Sequence, residues 1–373
     1  MSEVVNDVEV VTGNGAVQRI PELVAGFAPR RVLVVASRAA VARTGIVARL
    51  DGYRPEVFAD FAPNPQLADG LRGAAVAAAA QPDLILGLGG GSAMDVAKLV
   101  RGLPTDRDDA TAVLRGAAQP QRRARLLLVP TVAGSGSEVT GFATVFVGGV
   151  KHSLDHPSVH ADLAVVDPEL TATCPPDVTS SGALDALAHA VESLWSLRST
   201  ALSRQLALDA MRALVGILGR PVSAESRVVL SAAATRAGLA IDRTRTTAAH
   251  AFAYPLTARL GIRHGLACAL NLVWLLPFTA ERLSTDCQDP RGTAFVGRRL
   301  AEISAVLGPD SGTRLAELVR AAGFSPALGD HGVTEADLPG LVDAALGHSR
   351  STNGPVRLDP ADVLSLLRKR LAG

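Results

Sequence analysis

Cysteines and aromatic residues are scarce in this sequence, and neither sign of charge dominates it. The three cysteines are an odd number, lie far apart and form no Cys-x-x-Cys pair. This argues against a disulfide framework and against a cysteine-ligated zinc site. A formal net charge of +1 gives no reason to expect nucleic acid or an anionic membrane as a partner.

Two further absences concern membranes and secretion. No apolar run approaches the roughly 18–20 residues that a membrane span needs. The N-terminal stretch MSEVVNDVEV lacks the basic and then apolar pattern of a signal peptide. These absences predict a soluble protein in the cytoplasm.

The first half of the chain alternates short β-branched runs with helical stretches. The predicted strands are 31–36, 57–58, 83–88 and 126–130, and a helix is predicted over 66–80. Strands separated by helices of this length indicate crossover connections and a parallel sheet.

The pattern changes near residue 178, beyond which helical periodicity prevails. The predicted helical stretches are 182–220, 224–252, 295–307, 312–322 and 359–371. The sequence therefore predicts an α/β domain with a parallel sheet over 1–178 and an all-helical domain over 179–373.

A glycine-rich loop directly follows the third predicted strand. Gly89, Gly90, Gly91 and Ser92 open a predicted helix that carries Asp95. Glycines let the backbone approach a ligand, and a helix N-terminus presents free N–H groups and partial positive charge. The loop therefore fits a phosphate, although a tight turn without a ligand is the alternative, because the GxGxxG spacing is absent.

A second loop of small residues, 130–140, follows the next predicted strand. Thr131, Val132 and Ser135 lie in it, and it offers hydroxyls and backbone amides to a nucleotide. Taken alone it is equally well interpreted as a flexible surface loop. Because parallel strands end at the same edge of a sheet, the two loops together predict a nucleotide site.

Four side chains in the second half form a candidate metal site. Asp185 and His189 lie four residues apart in a predicted helix, so they share one face. His250 precedes a predicted helix-breaking turn at Tyr254-Pro255, and His264 follows farther on. Each histidine alone also fits a core or surface position. One carboxylate and three imidazoles together suit Fe²⁺ or Zn²⁺ and a Lewis-acid role towards a carbonyl oxygen.

These stretches together resemble the iron-containing (group III) alcohol dehydrogenase family. The resemblance covers 63–277, and the matching motifs are Gly89–Lys98, Pro130–Thr140, Val166–Pro168, Gly182–Glu192 and His250–Gly265. It implies an N-terminal dinucleotide-binding domain, a helical metal-binding C-terminal domain, an active site in the cleft between them, and a homodimer or larger homo-oligomer.

The resemblance also implies roles for individual residues. It assigns Fe²⁺, with Zn²⁺ or Mn²⁺ tolerated, to Asp185, His189, His250 and His264. The positions expected to bind NADPH or NADH, with their loop neighbours, are Asn64, Gly90, Gly91, Ser92, Asp95, Thr131, Val132, Ser135 and Lys151.

Two departures from the family pattern change the expectations. Many NAD-selective members have an aspartate after the first strand, where this chain has Ser37 and then Arg38. A small residue beside an arginine can admit the 2′-phosphate, so we expect NADPH to be accepted; the alternative is that Arg38 only faces solvent. Tyr254 stands where many members have a histidine near the nicotinamide, so we expect its hydroxyl to supply or relay the proton.

The substrate expectation comes from a narrower resemblance. The runs Lys151–Leu154, Glu192–Ser196 and Thr244–Thr257 are similar to the branch that reduces phosphonoacetaldehyde to 2-hydroxyethylphosphonate in phosphonate biosynthesis. A phosphonate is multiply anionic and needs a guanidinium or ammonium partner. Arg243 and Arg245, just before His250, are the first candidates for that partner.

Three alternatives stay open. A general short-chain alcohol dehydrogenase for lactaldehyde, propanediol or butanal would have an apolar pocket. A carbon–oxygen lyase of the dehydroquinate synthase type would use NAD and a metal, but Gly182–Glu192 argues against it. The third alternative is a non-catalytic binding protein, and the presence of all four predicted metal ligands argues against it.

Overall fold

A computed structural model describes residues 2–6 and 8–371. The chain forms two compact units that divide between Cys174 and Pro175. The predicted boundary at residue 178 falls inside the first helix of the second unit, Pro176–Trp195. Proline is well tolerated in the first turn of a helix, so this helix begins earlier than its apolar periodicity suggests.

The first unit is an α/β structure. Its strands are β1 (Ser2–Val5), β2 (Val8–Thr12), β3 (Val32–Ala36), β4 (Glu56–Phe58), β5 (Leu84–Gly89), β6 (Arg125–Pro130), β7 (Phe142–Val147), β8 (Val150–Asp155) and β9 (Leu163–Val166). Its helices are α1 (Ile20–Phe27), α2 (Arg38–Thr44), α3 (Ile46–Arg49), α4 (Leu67–Ala80), α5 (Gly91–Gly102) and α6 (Arg107–Leu114).

The main sheet has the strand order β1-β2-β9-β6-β5-β3-β4. All neighbouring strands in it are parallel except β1 and β2. Strands β3 and β5 are buried along their whole length, as strands covered on both faces are. The predicted α/β class with a parallel sheet is confirmed.

Several strands escaped the sequence analysis, namely β1, β2, β9 and the β7–β8 hairpin. The hairpin turns at Gly148 and Gly149, which have φ angles of 57° and 81°. A Gly-Gly pair between two β-rich runs is the usual signal for such a two-residue turn.

The second unit is helical. Its helices are α7 (Pro176–Trp195), α8 (Ala201–Ile217), α9 (Ala224–Thr244), α10 (Ala248–Leu260), α11 (His264–Asp286), α12 (Thr293–Leu307), α13 (Ser311–Ala321), α14 (Leu338–Leu346) and α15 (Pro360–Lys369). The single stretch predicted over 182–220 is two helices, because Thr200 caps α8 by accepting a hydrogen bond from Ser203 N. The stretch 224–252 is likewise divided, at Arg245, whose φ is 59°.

The predicted helix-breaking turn at Tyr254-Pro255 is wrong, since α10 continues through both residues to Leu260. Proline removes one backbone hydrogen bond from a helix interior. The residues around it are buried in the core, among them Phe252, Ala253 and Leu256. Tertiary packing of this apolar segment therefore outweighs the local preference.

Among the described residues, one helix, α11, is long and apolar enough to cross a membrane. Within its most apolar window, 72% of the residues are buried inside the structure. Such burial is typical of the central helix of a folded unit, and α11 begins at the predicted metal ligand His264.

Candidate functional site

Three helices of the second unit bring the predicted metal ligands together. Asp185 and His189 lie one turn apart on α7, His250 lies near the start of α10, and His264 is the first residue of α11. The donor atoms of Asp185, His250, His264 and a further residue, Cys268, all lie within 4.8 Å of one another. We call these four residues the donor cluster.

His189 lies beside the donor cluster. Its Nε2 atom is 3.8 Å from Asp185 Oδ1. Its ring stacks on the ring of His250, with centroids 4.7 Å apart and planes inclined by 15°. All four residues predicted as ligands are therefore neighbours in space.

The donor cluster contains buried polar atoms that the protein itself does not satisfy. Asp185 Oδ1 and His250 Nε2 lie 3.5 Å apart, and neither has a hydrogen-bond partner among the residues described here. Leaving a buried donor or acceptor unpaired costs about 1–3 kcal/mol. A divalent cation would satisfy both atoms, and carboxylate and imidazole donors suit Fe²⁺ or Zn²⁺. The residues present therefore fit a metal.

Glu192 orients His250. Its fully buried carboxylate accepts hydrogen bonds from Thr247 N at 3.0 Å, Thr247 Oγ1 at 2.5 Å and Ala249 N at 2.9 Å. It also pairs with His250 Nδ1. A carboxylate on one ring nitrogen fixes the tautomer that leaves the other nitrogen free to ligate. Glu192 therefore holds His250 with Nε2 facing Asp185.

The charges in this region favour ionised carboxylates and a protonated thiol. Burial acts to raise the pKa of Asp185, but the three imidazoles around it hold that pKa well below its usual range. The pKa of Glu192 is also lowered, because His250 and Thr247 outweigh the effect of burial. Burial raises the pKa of the Cys268 thiol to about 11.

A glycine lets α11 approach α7 at the donor cluster. A Cβ atom at Gly265 would lie 2.7 Å from Asp185 Cβ, closer than two carbon atoms pack. The glycine after His264 is therefore needed for this histidine to reach the aspartate. Only a residue without a side chain fits there.

Tyr254 lies on α10 one turn after His250. Its ring stacks on His264, with centroids 5.9 Å apart and planes inclined by 8°. The ring of His348 lies 4.8 Å away on another side. The predicted proton donor is thus adjacent to a predicted metal ligand.

The first unit places its two small-residue loops side by side, as the sequence predicts. Strands β5 and β6 pair in parallel up to Gly89 and Pro130, and Thr131 N donates to Gly89 O at 2.8 Å. A Cβ at Gly91 would lie 3.1 Å from Ser135 Oγ, and one at Gly90 would lie 3.6 Å from Val132. Gly91 therefore allows the close contact between the two loops at the start of α5, whereas a Cβ at Gly90 would make an ordinary van der Waals contact.

Asn64 joins this group from a third loop. Its backbone N donates to Ser92 Oγ at 3.3 Å, and its φ is 58°, in the left-handed region that asparagine tolerates better than most residues. Ser92, at the start of α5, thus connects two of the predicted cofactor loops.

Asp95 and Lys98, on α5, hold the second loop in place through hydrogen bonds. Asp95 accepts hydrogen bonds from Ser137 Oγ at 2.7 Å and from Thr144 N at 3.0 Å. Lys98 is fully buried, and its Nζ donates to Ser137 Oγ, Thr140 Oγ1 and the Phe142 carbonyl at 3.0, 3.1 and 2.8 Å. Asp95 therefore helps to hold the loop in position, and its contact with the cofactor stays a prediction.

The remaining predicted cofactor residues lie on neighbouring elements. Ser37 directly follows β3, and its Oγ caps α2 by accepting from Ala40 N at 3.2 Å. Arg38 is the first residue of α2 and is exposed. Lys151 lies in β8 opposite Phe146.

Arg243 and Arg245 flank the end of α9. Arg243 is exposed in its last turn. The Arg245 side chain is 16% exposed, lies 3.7 Å from Asp242 Oδ1 and donates to the Asp242 carbonyl. Between this pair and α10 lies Thr247, whose hydroxyl reaches Glu192. The two arginines are thus a short distance along the chain from the residues that orient His250.

Glu192 and Cys268 were not singled out as site residues from the sequence. A signal for each was present in the spacing. Glu192 follows Asp185 by two helical turns, and Cys268 follows His264 by one turn, so each shares a face with a predicted ligand.

Comparison with protein families matches both units. The iron-containing alcohol dehydrogenase family matches residues 8–168, and the C-terminal part of the Fe-containing alcohol dehydrogenase family matches residues 179–371. The chain belongs to the iron-containing alcohol dehydrogenase family. It is therefore an oxidoreductase of the alcohol dehydrogenase and aldehyde reductase type.

Two relatives of known name are similar to this chain over most of its length. The phosphonoacetaldehyde reductase of Streptomyces viridochromogenes is 35% identical over 310 residues, which cover 78% of this chain and 77% of the relative. Long-chain-alcohol dehydrogenase 1 of Geobacillus thermodenitrificans is 30% identical, over 97% of this chain and 94% of the relative.

Solved structures of this family share the fold of the whole chain. The sulfoacetaldehyde reductase of Bifidobacterium kashiwanohense, in complex with NAD⁺, has a TM-score of 0.84 at 26% identity, covering 100% of this chain and 99% of its own. The iron-containing alcohol dehydrogenase of Thermococcus thioreducens has a TM-score of 0.86 at 25% identity, covering 100% of both chains.

Proposed function

We propose that this member of the family reduces phosphonoacetaldehyde to 2-hydroxyethylphosphonate with NADPH. The observation that carries the reductase chemistry is the donor cluster, in which Asp185 Oδ1 and His250 Nε2 converge without hydrogen-bond partners among the described residues. When bound, the metal withdraws electron density from an aldehyde oxygen, and the reduced nicotinamide is the source of hydride.

The residues of the chain have distinct parts in this proposal. Asp185, His189, His250 and His264 hold the metal, and Glu192 holds His250 in the ligating tautomer. Tyr254 Oη is the proposed donor of the proton that the product oxygen takes up, because its ring lies against His264. The two loops of the first unit bind the cofactor pyrophosphate at the start of α5.

The choice of substrate rests on two relatives. Both phosphonoacetaldehyde and sulfoacetaldehyde, the aldehydes in the names of those reductases, are acetaldehydes that carry an anionic acid group. Such a group calls for an arginine or lysine in the site. Arg243 and Arg245 are the proposed partners, since they flank the segment that reaches Glu192.

A general alcohol dehydrogenase is the second candidate. The relatives named long-chain-alcohol dehydrogenase 1 and 1-propanol dehydrogenase favour it, because neither name implies an anionic substrate. The lyase alternative loses its support, since both units match the alcohol dehydrogenase family.

The proposal of NADPH rests on Arg38. This exposed side chain follows Ser37 at the carboxyl end of β3, where a guanidinium suits a 2′-phosphate. An Arg38→Ala variant should have a higher KM for NADPH and an unchanged KM for NADH. Equal effects on both cofactors would count against this role.

The substrate assignment is tested by measuring NADPH oxidation with anaerobically Fe²⁺-loaded protein. Phosphonoacetaldehyde and propionaldehyde are compared side by side, each with and without a chelator. A preference of about 100-fold or more in kcat/KM for the phosphonate, about 2.7 kcal/mol, is expected if one charge-assisted contact recognises the anion. Chelation should abolish both activities.

The arginine variants separate the two candidate functions. Arg243→Ala and Arg245→Ala should raise the KM for phosphonoacetaldehyde and leave the KM for propionaldehyde unchanged, with Arg320→Ala on α13 as an exposed control. Equal kcat/KM for both aldehydes in the unaltered protein would remove the phosphonate assignment. The protein would then be a general alcohol dehydrogenase.

A further inference from the structure

We propose that Asn353 is a positioning residue for substrate recognition. Its side chain holds Arg245 in a backbone conformation that glycine adopts far more readily than arginine, and so fixes the Arg245 guanidinium for the acid group of the aldehyde. This role rests on the proposed function, in which Arg245 is a candidate partner of that group. The residues that carry it lie between α9 and α10 and in the segment that follows α14, and they do not include a predicted metal ligand.

The backbone of Arg245 has an unusual conformation, with a φ of 59° and a ψ of 169°. Ala28, Arg54 and Gln81 also end helical segments with a positive φ, but their ψ angles are 46°, 61° and 59°. Those three residues lie in the ordinary left-handed region, whereas the region of Arg245 is almost confined to glycine. A residue with a side chain persists there only where its surroundings hold it, and such residues cluster at ligand-binding sites.

One side chain holds the backbone on both sides of Arg245. Asn353 Nδ2 donates to the carbonyl oxygens of Thr244 at 2.9 Å and of Thr246 at 3.0 Å. The Thr244 carbonyl also accepts from Ser196 Oγ at 2.9 Å. Because both threonines are buried, their carbonyl groups depend on partners within the protein. The carbonyl groups before and after Arg245 are therefore fixed, which restrains its φ and ψ angles.

Asn353 is itself held in a distant part of the chain. It ends the short helical segment Ser351–Asn353, and its own carbonyl accepts from Leu197 N at 3.0 Å. It follows Thr244 by 109 residues. The conformation of Arg245 is therefore imposed by tertiary contacts and not by the local sequence.

The strained backbone indicates a use for the arginine side chain. Glycine adopts this conformation freely, so an arginine at position 245 lowers stability unless its side chain offsets the cost. The side chain is 16% exposed, and its Nη1 donates to the Asp242 carbonyl and lies 3.7 Å from Asp242 Oδ1. Asp242 thus compensates the charge of a largely buried guanidinium when no substrate is bound. Arg243, by comparison, is exposed and lies in regular helix, so the geometry favours Arg245 as the partner of the acid group.

Thermal unfolding tests the strained backbone without relying on activity. We expect Arg245→Gly to melt at least about 2 °C above Arg245→Ala, because glycine removes the strain and alanine keeps it. Position 243 is the matched control, since it lies in a helix and Arg243→Gly should melt below Arg243→Ala. A melting temperature of Arg245→Gly at or below that of Arg245→Ala would overturn the proposal.

A double-mutant comparison tests whether Asn353 imposes this conformation. In the Asn353→Ala background the connection between α9 and α10 can relax, so the difference in melting temperature between Arg245→Gly and Arg245→Ala should shrink. Thr352→Ala, an exposed change in the same segment, should leave that difference as it is. An undiminished difference in the Asn353→Ala background would show that Asn353 does not hold Arg245.

Kinetics with two aldehydes test the link to the substrate. Asn353→Ala should raise the KM for phosphonoacetaldehyde by at least about 10-fold, the smaller end for loss of one charge-assisted hydrogen bond, and leave the KM for propionaldehyde unchanged. Adding Asn353→Ala to Arg245→Ala should raise the KM no further, because the group that Asn353 positions is then gone. Equal increases in KM for both aldehydes would mean a general loosening of the fold and would contradict a positioning role.

The outcomes separate this role from the proposed function. A preference for phosphonoacetaldehyde in the unaltered protein, with an unchanged KM in Asn353→Ala, would overturn the role of Asn353 and leave the function intact. Equal kcat/KM for the two aldehydes in the unaltered protein would overturn both.

Discussion

At the scale of single residues, Glu192 controls how the metal site is formed. Its carboxylate accepts from two backbone N–H groups and pairs with His250 Nδ1. A Glu192→Gln variant can still accept the backbone hydrogen bonds. Its amide, however, would donate to Nδ1 and so move the ring proton to Nε2, the atom that must bind metal.

We therefore expect Glu192→Gln to fold and to bind metal about 10- to 100-fold more weakly. Titration of the metal-free protein with Zn²⁺ measures this, and circular dichroism checks the fold. Glu281→Gln, an exposed change on α11, should bind as the unaltered protein does. Equal affinities in the two variants would show that Glu192 does not set the tautomer.

The residues of the site differ in how far sequence alone could predict them. Asp185 and His189 are visible as an i, i+4 pair, whereas His250 and His264 lie far along the chain without such a spacing. The four together indicated a metal, and the family resemblance assigned them as its ligands. Glu192 and Cys268 lie at helical spacing from these ligands, but glutamate and cysteine are common at such positions. Only the folded contacts of Glu192 and the short distances around Cys268 distinguish them from ordinary buried residues.

At the scale of elements, the buried ammonium group of Lys98 connects α5 to the second cofactor loop. Lys98 donates to Ser137, Thr140 and the Phe142 carbonyl, and its charge opposes the effect of burial, which raises the pKa of Asp95. Removing this charge leaves the half-buried carboxylate of Asp95 and several acceptors without compensation. The second cofactor loop should then lose its fixed position.

A Lys98→Met variant should lower the free energy of unfolding by about 3–5 kcal/mol, the usual cost of removing one partner from a buried charged network. In the fraction that folds, the KM for the nicotinamide cofactor should rise and the KM for the aldehyde should not. Thermal unfolding and initial rates measure the two effects. Lys369→Met, at an exposed position, is the control, and an unchanged cofactor KM would refute a positioning role.

Elements were predictable where one local signal dominated. Strands β3, β5 and β6 are continuous apolar runs, and the sequence located them to within one residue at each end. The helix through Pro255 was not predictable, because its continuation depends on burial of Phe252 and Leu256 among distant residues. The separation of α9 from α10 depends on a left-handed residue, Arg245, for which the sequence gives no warning.

At the scale of the whole molecule, the tryptophan fluorescence of the chain comes from only one of its two units. The two tryptophans, Trp195 and Trp274, both lie in the second unit. Tryptophan fluorescence therefore reports on unfolding of the helical unit, and calorimetry reports on both units. A change confined to the first unit can thus be recognised as such.

Asp162 is the residue in the first unit whose substitution makes this test possible. Its side chain is 7% exposed, and its oxygens contact the guanidinium groups of Arg101, Arg122 and Arg125 at 2.6–2.9 Å. Burial acts to raise the pKa of this carboxyl, but the hydrogen bond from Arg125 and the other positive charges lower it below its usual value. Burial also lowers the pKa of Arg101 to about 10, so Arg101 stays charged at neutral pH.

A carboxyl group with a lowered pKa in the folded state stabilises that state above its unfolded pKa. This contribution is lost as the pH falls through the folded pKa. We therefore expect Asp162→Asn to destabilise the first unit at neutral pH by about 3 kcal/mol, the lower end for a broken buried ion pair, because Arg122 and Arg125 are more than half exposed. Below about pH 4 the difference in the free energy of unfolding between this variant and the unaltered protein should shrink.

Calorimetry across this pH range checks the prediction, with Asp51→Asn as an exposed control in the same unit. A constant difference at all pH values would mean that packing, and not the charge of Asp162, stabilises the sheet, whereas a matching shift in tryptophan fluorescence would mean that the two units unfold together.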